Sequence, residues 1–132
     1  MSLSVAVDFD GSLATGEPPQ YRPGALEALA ALKAAGHRLI LHSCRCNPLD
    51  PGPTIEDEAA RFYRSGEVPP RVIDQWRRFE GMRAFLQATG AWALFDSIWQ
   101  APGKPLADVY VDDRGEPPDW ARIAAELGAT TP

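Results

Sequence analysis

Lysine is scarce in this sequence: Lys33 and Lys104 are the only two, against eleven arginines. Basic residues form no cluster, and the net charge is −5 with a pI near 4.9. A surface of that sign does not neutralise a phosphate backbone, so broad nucleic-acid binding is not expected. A compact phosphate pocket needs only one or two cations and survives that exclusion. Cysteine is equally sparse. Cys44 and Cys46 stand one residue apart, with no second pair for a disulfide framework. No apolar run approaches the length of a membrane span, and the first residues carry neither a basic lead nor the apolar stretch of a signal peptide. The expectation is therefore a cytoplasmic protein with no membrane partner. Two motifs are also missing. Without a Gly-rich loop ending in Gly-Lys-Ser/Thr a P-loop nucleotidase is excluded, and without Gly-x-Ser-x-Gly so is the usual serine hydrolase.

What is present suits one globular domain over residues 1–132. The chain is 45% hydrophobic and 23% charged, large enough for one core and too small for two. Its 11 glycines and 13 prolines mark out the elements. A β-rich run from Ser4 to Phe9 predicts a first strand. A Gly/Pro loop follows, then an Ala/Leu helix from about Gly24 to Ala35 with Leu26, Leu29 and Leu32 along one side. Arg38 to His42 reads as a second strand, short and continuously apolar, covered on both faces. Thr54 looks like an N-cap, with Ile55, Ala59, Phe62 and Tyr63 on one helical face behind it. Pro70 opens a further helix that stops at Gly90. The stretch from Trp92 to Gln100 is ambiguous and can hold a short strand. Leu106 to Val111 predicts another strand, and the last helix runs from about Pro118 with Trp120, Ile123, Ala124 and Leu127 on one face. Strands alternating with helices predict an α/β fold: a three-layer, Rossmann-like parallel sheet with helices on both faces.

In such sheets ligands bind at the carboxyl ends of the strands. The polar residues gather at those ends: Asp8, Asp10, Ser43, Asp112 and Asp113. Asp8 and Asp10, two apart, share a side of their strand, and Gly11 then allows a sharp turn. One Asp pair is most simply an ordinary turn. Two pairs, each ending an apolar strand, are harder to explain that way. Carboxylates converging on one spot repel unless a cation sits among them, and all-oxygen ligands suit Mg²⁺. Ser43 can donate to a phosphate oxygen. Lys104 stands out because this chain seldom uses lysine as a surface charge. His42, Cys44 and Cys46 invite a zinc site, but a structural site wants four N/S ligands and only His37 is left to add.

Asp8-Phe9-Asp10-Gly11-Ser12-Leu13 resembles the first motif of the haloacid dehalogenase-like phosphohydrolases, with Ser12 where that family usually has Thr. Ser43 after Leu39-Ile40-Leu41-His42 is similar to the second motif, Lys104 to the third, and Asp112-Asp113 to the fourth, all in the family's order. The resemblance implies a Mg²⁺-dependent phosphomonoesterase. It implies Asp8 as nucleophile, forming an aspartyl-phosphate, and Asp10 as acid and base. Ser43 and Lys104 would hold phosphoryl oxygens, with Asp8, the Asp10 carbonyl, and Asp112, Asp113 or both on the metal. Arg45 and Arg114, just past two of these residues, are candidates for binding a phosphorylated substrate. The alternative is a non-catalytic phosphate-binding module on the same fold. A phosphorelay receiver domain orders its acidic residues differently. Residues 12–22 suffice for a flap and not for a cap domain, so a cap-less monomeric core with an open site is expected, and either a large phosphorylated substrate supplies its own lid or a second subunit covers the site.

Overall fold

The computed structural model describes residues 2–46, 70–99, 104–113 and 117–128. Six strands are seen among them: β1 (Ser4–Val7), β2 (Ala14–Thr15), β3 (Gln20–Tyr21), β4 (Arg38–His42), β5 (Ser97–Trp99) and β6 (Val109–Val111). The helices are α1 (Ala25–Ala34), α2 (Pro70–Ala88) and α3 (Trp120–Glu126), with 3-10 turns at Cys44–Cys46 and Trp92–Leu94. The helix expected behind Thr54 lies outside the described residues.

The fold is the expected α/β arrangement, a small Rossmann-like parallel sheet with flanking helices, in strand order β5-β4-β1-β6. β1 is central, its Val5 level with Leu39 of β4 and with Val109 of β6. Because side chains alternate along a strand, this register sends Val5, Val7, Leu39, Leu41 and Val111 to one face. All five are buried in a core they share with Leu29 and Leu32 of α1 and Trp120 and Ala124 of α3. Ala6, Ile40, His42 and Tyr110 take the opposite face.

Helix α1 buries Ala25, Ala28, Leu29 and Leu32, the i, i+3, i+4, i+7 stripe of a helix seated on a sheet. Leu26, expected on that stripe, lies at its margin because Ala25 and Ala28 make the close approach instead. The last strand is shorter than expected and starts at Val109. Ahead of it the Tyr110 hydroxyl donates to the Pro105 carbonyl at 2.6 Å and accepts from the Ala107 N–H at 3.1 Å, curling the chain away from the sheet. Leu106 is left 94% exposed. In the ambiguous stretch, Trp92–Leu94 is a 3-10 turn and the strand occupies Ser97–Trp99. Residues 12–22 form the small β2–β3 hairpin, the flap their length allows. No helix among the described residues is long and apolar enough to cross a membrane.

A buried histidine ties the two ends of the described chain together. The Leu3 N–H donates to His37 Nδ1 at 3.1 Å, so Nε2 carries the proton and donates to the Leu127 carbonyl at 2.8 Å. His37 is 5% exposed, and removing its ring strands one backbone donor and one acceptor. His37→Ala is expected to cost about 2 kcal/mol of stability, read as a lowered thermal midpoint with the fold retained. An unchanged midpoint would mean that water replaces both bonds.

Candidate functional site

The strand order reverses at β1. The chain leaves β1 for β4 on one side and returns as β6 on the other, so a crevice opens between the carboxyl ends of β1 and β6. The Asp8 N–H donates to the Val111 carbonyl at 3.0 Å, which holds the first residue past β1 beside the first residues past β6. The chain then turns sharply. The N–H groups of Leu13 and Ala14 both donate to the Phe9 carbonyl, and the Gly11 N–H donates to the Ala14 carbonyl at 2.8 Å. Trp120 Nε1 clamps this loop from α3 by donating to the Ser12 carbonyl at 2.8 Å, and Arg22 Nε donates to the Gly11 carbonyl at 3.1 Å.

Gly11 suits this turn on two counts. Its φ is +80°, and a Cβ would stand 2.3 Å from Asp113 Oδ2. The Asp113 carboxylate therefore rests against the first loop, on the side of Asp8. Burial pushes the Asp8 carboxyl up to about 6, and the neighbouring Asp113 and Asp10 charges add to the rise. The Phe9 N–H and the Ser12 hydroxyl, 3.5 Å from Asp8 Oδ2, pull the other way and do not cancel it.

Asp112 is placed differently. Lys104 Nζ lies 3.6 Å from Asp112 Oδ2 and 5.5 Å from the centre of the Tyr110 ring. His42, level with Asp112 across the sheet, is held below its usual range by burial and then by Lys104, with Asp112 opposing. Asp8, His42, Lys104, Tyr110, Asp112 and Asp113 all line one cavity of about 290 Å³. Lys104 thus shares a cavity with Asp8 while its ion pair is with Asp112.

Ser43 ends β4 and is buried, its Oγ accepting from the Arg45 N–H at 3.2 Å. Arg45, expected on substrate, instead grips Asp10, with Nη2 2.8 Å from Oδ1 and Nε 2.9 Å from Oδ2. The side chain turns inward because Phe9 lies under its guanidinium, 5.1 Å away, where cation–π attraction favours it. Arg114 lies outside the described residues.

Sequence reasoning weighs His42 only as a zinc ligand and passes over Tyr110; the structure places both on the cavity that Asp8 lines. A signal for His42 was available: the ends of β1, β4 and β6 run level, so Asp8, His42 and Asp112 share one side. Among the described residues no three His, Cys, Asp or Glu side chains stand as a ready-made metal cage. The donor set nevertheless suits Mg²⁺, which keeps several waters and needs only one or two carboxylates. Asp8 and Asp113 supply two, and their mutual repulsion is what a cation would relieve.

No protein-family model and no curated protein matches the chain. It is similar to the structure of a conserved protein from Bacteroides thetaiotaomicron, at 25% identity over 100% of this chain and 94% of the other, with a TM-score of 0.57. That likeness supports the Rossmann-like α/β fold.

Asp8 binds its proton more tightly folded than unfolded, since its carboxyl rises from 3.8 to about 6. The stability it contributes is complete below pH 3.8 and is lost as pH rises through about 6. In metal-free protein, Asp8→Asn is therefore expected to raise the thermal midpoint above pH 6 and to leave it unchanged below pH 4. A midpoint difference independent of pH would contradict the burial and crowding assigned to Asp8.

Proposed function

We propose that the protein is a Mg²⁺-dependent phosphomonoesterase that works through a phosphorylated Asp8. The observation that carries this reading is the meeting of Asp8 and Asp113 across the β1–β6 crevice, with Lys104 in the same cavity. The family resemblance of Asp8, Asp10, Ser43, Lys104 and the Asp112-Asp113 pair supports it and supplies the division of roles.

In this reading an Asp8 carboxylate oxygen attacks phosphorus while the bond to the leaving oxygen breaks. Asp10 gives its proton to that oxygen. Asp10, now ionised, takes a proton from water as the water attacks the phosphorus, releasing Asp8 and inorganic phosphate. Ser43 and Lys104 donate to the phosphoryl oxygens as charge moves onto them. Mg²⁺, held by Asp8 and Asp113 with the Asp10 carbonyl, would screen the charge between the nucleophile and the phosphate. Asp113 is chosen over Asp112 because Lys104 and His42 already face Asp112. Among the described residues, no cationic side chain pairs with Asp113. Asp112 serves instead to place Lys104.

The test is hydrolysis of an aryl phosphate with and without Mg²⁺. Turnover is expected with the metal, with none in excess chelator and none for Asp8→Asn. Metal-independent turnover, or none at all in the wild type, would overturn the proposal, the latter in favour of a phosphate-binding module. Asp113→Asn should weaken Mg²⁺ by at least about a hundredfold, and Asp112→Asn by no more than about tenfold. Lys104→Ala should lower turnover by about 3 kcal/mol of transition-state stabilisation. Equal metal losses at Asp112 and Asp113 would reverse their assignment.

A further inference from the structure

Arg45 lies in the Cys44–Cys46 turn, two residues past Ser43, with only 12% of its side chain exposed. Each of its guanidinium nitrogens has an acceptor. Nε donates to both Asp10 oxygens, at 3.1 and 2.9 Å, and Nη2 donates to Oδ1 at 2.8 Å. Nη1 donates to the Arg78 carbonyl of α2 at 3.3 Å, and the guanidinium lies over the Phe9 ring. Its main-chain N–H donates to Ser43 Oγ. One residue therefore holds two groups on neighbouring loops, those after β1 and β4, and is itself anchored on α2. Asp10, by contrast, has 44% of its side chain exposed. A planar fork fixes the plane of a carboxylate, which a lysine ammonium cannot do.

We propose that Arg45 is a positioning residue, acting through Asp10 rather than on substrate. It holds the Asp10 carboxylate in one plane, with the outer lone pairs of its oxygens left for proton exchange. The inference rests on Asp10 having the acid/base role given above.

The experiment compares Arg45→Ala, Arg45→Lys, Asp10→Asn and the double variant Asp10→Asn/Arg45→Ala, with Mg²⁺ present. Arg45→Ala is expected to lower kcat by about a hundredfold, as displacement of a reacting group does. KM should stay within about threefold, because uniform binding is untouched. The double variant should be no slower than Asp10→Asn alone, since the effect passes through Asp10. Inorganic phosphate, titrated calorimetrically, should bind Arg45→Ala within about threefold of wild type. If the alanine variant does not fold, Arg45→Lys, which keeps a cation over Phe9, should still lose at least about tenfold in kcat because it lacks the fork. A tenfold or greater rise in KM or in the phosphate Kd would assign Arg45 to the phosphate and overturn the proposal. So would an unchanged kcat, or a further loss in the double variant. A wild type without phosphatase activity removes the functional reading and this inference together. A wild type that turns over beside an unaffected Arg45→Ala removes only this one.

Discussion

The hydrogen bond from the Asp8 N–H to the Val111 carbonyl, 3.0 Å long, is where the sheet becomes a site. It continues the β1–β6 pairing one residue beyond the strands and brings the ends of two apolar strands level. Each strand there turns from Val to Asp. The core does not tolerate those carboxylates, and the crevice at the strand ends is where they can still reach water. The Gly11 turn, the Trp120 clamp on Ser12 and the Arg22 clamp on Gly11 all hold this junction in place. Exchanging Gly11 for Ala would strain a φ of +80° and push the Asp113 carboxylate aside.

Charge is distributed unevenly around that junction. Asp10 has Arg45 and Asp112 has Lys104, while Asp8 and Asp113 face each other with no cationic side chain paired to either among the described residues. Burial and that crowding raise Asp8, so the metal-free fold stores repulsion where a nucleophile would stand. Among the described residues, Arg45 and Lys104 are each committed to a neighbouring carboxylate. The proposed Mg²⁺ would relieve that repulsion, and Asp112 differs from Asp113 in what each one touches.

Much of this was legible in the chain. Alternating apolar strands and amphipathic helices lead to the parallel sheet, polar residues at strand ends lead to Asp8, Asp10, Ser43, Asp112 and Asp113, and the scarcity of lysine leads to Lys104. These are properties of local sequence and of topology, which periodicity and strand order carry. The direction of a long side chain is not local. Arg45 could have reached for a substrate, and only the Phe9 ring and the Asp10 carboxylate brought beside it by the fold turn it inward. Likewise Leu106 reads as strand from its apolar neighbours, but the Tyr110 hydroxyl captures the Pro105 carbonyl and curls the segment off the sheet. His37 gave no sign of joining Leu3 to Leu127, contacts 34 and 90 residues apart.

The central claim is that Asp8 carries the phosphoryl group. The most direct measurement is acid quenching during turnover of an aryl phosphate with Mg²⁺, followed by peptide mass spectrometry. The account predicts one added phosphoryl group on the peptide containing Asp8, labile to base and absent from Asp8→Asn. Steady turnover with no covalent phosphate at Asp8, or with the group on another residue, would contradict it.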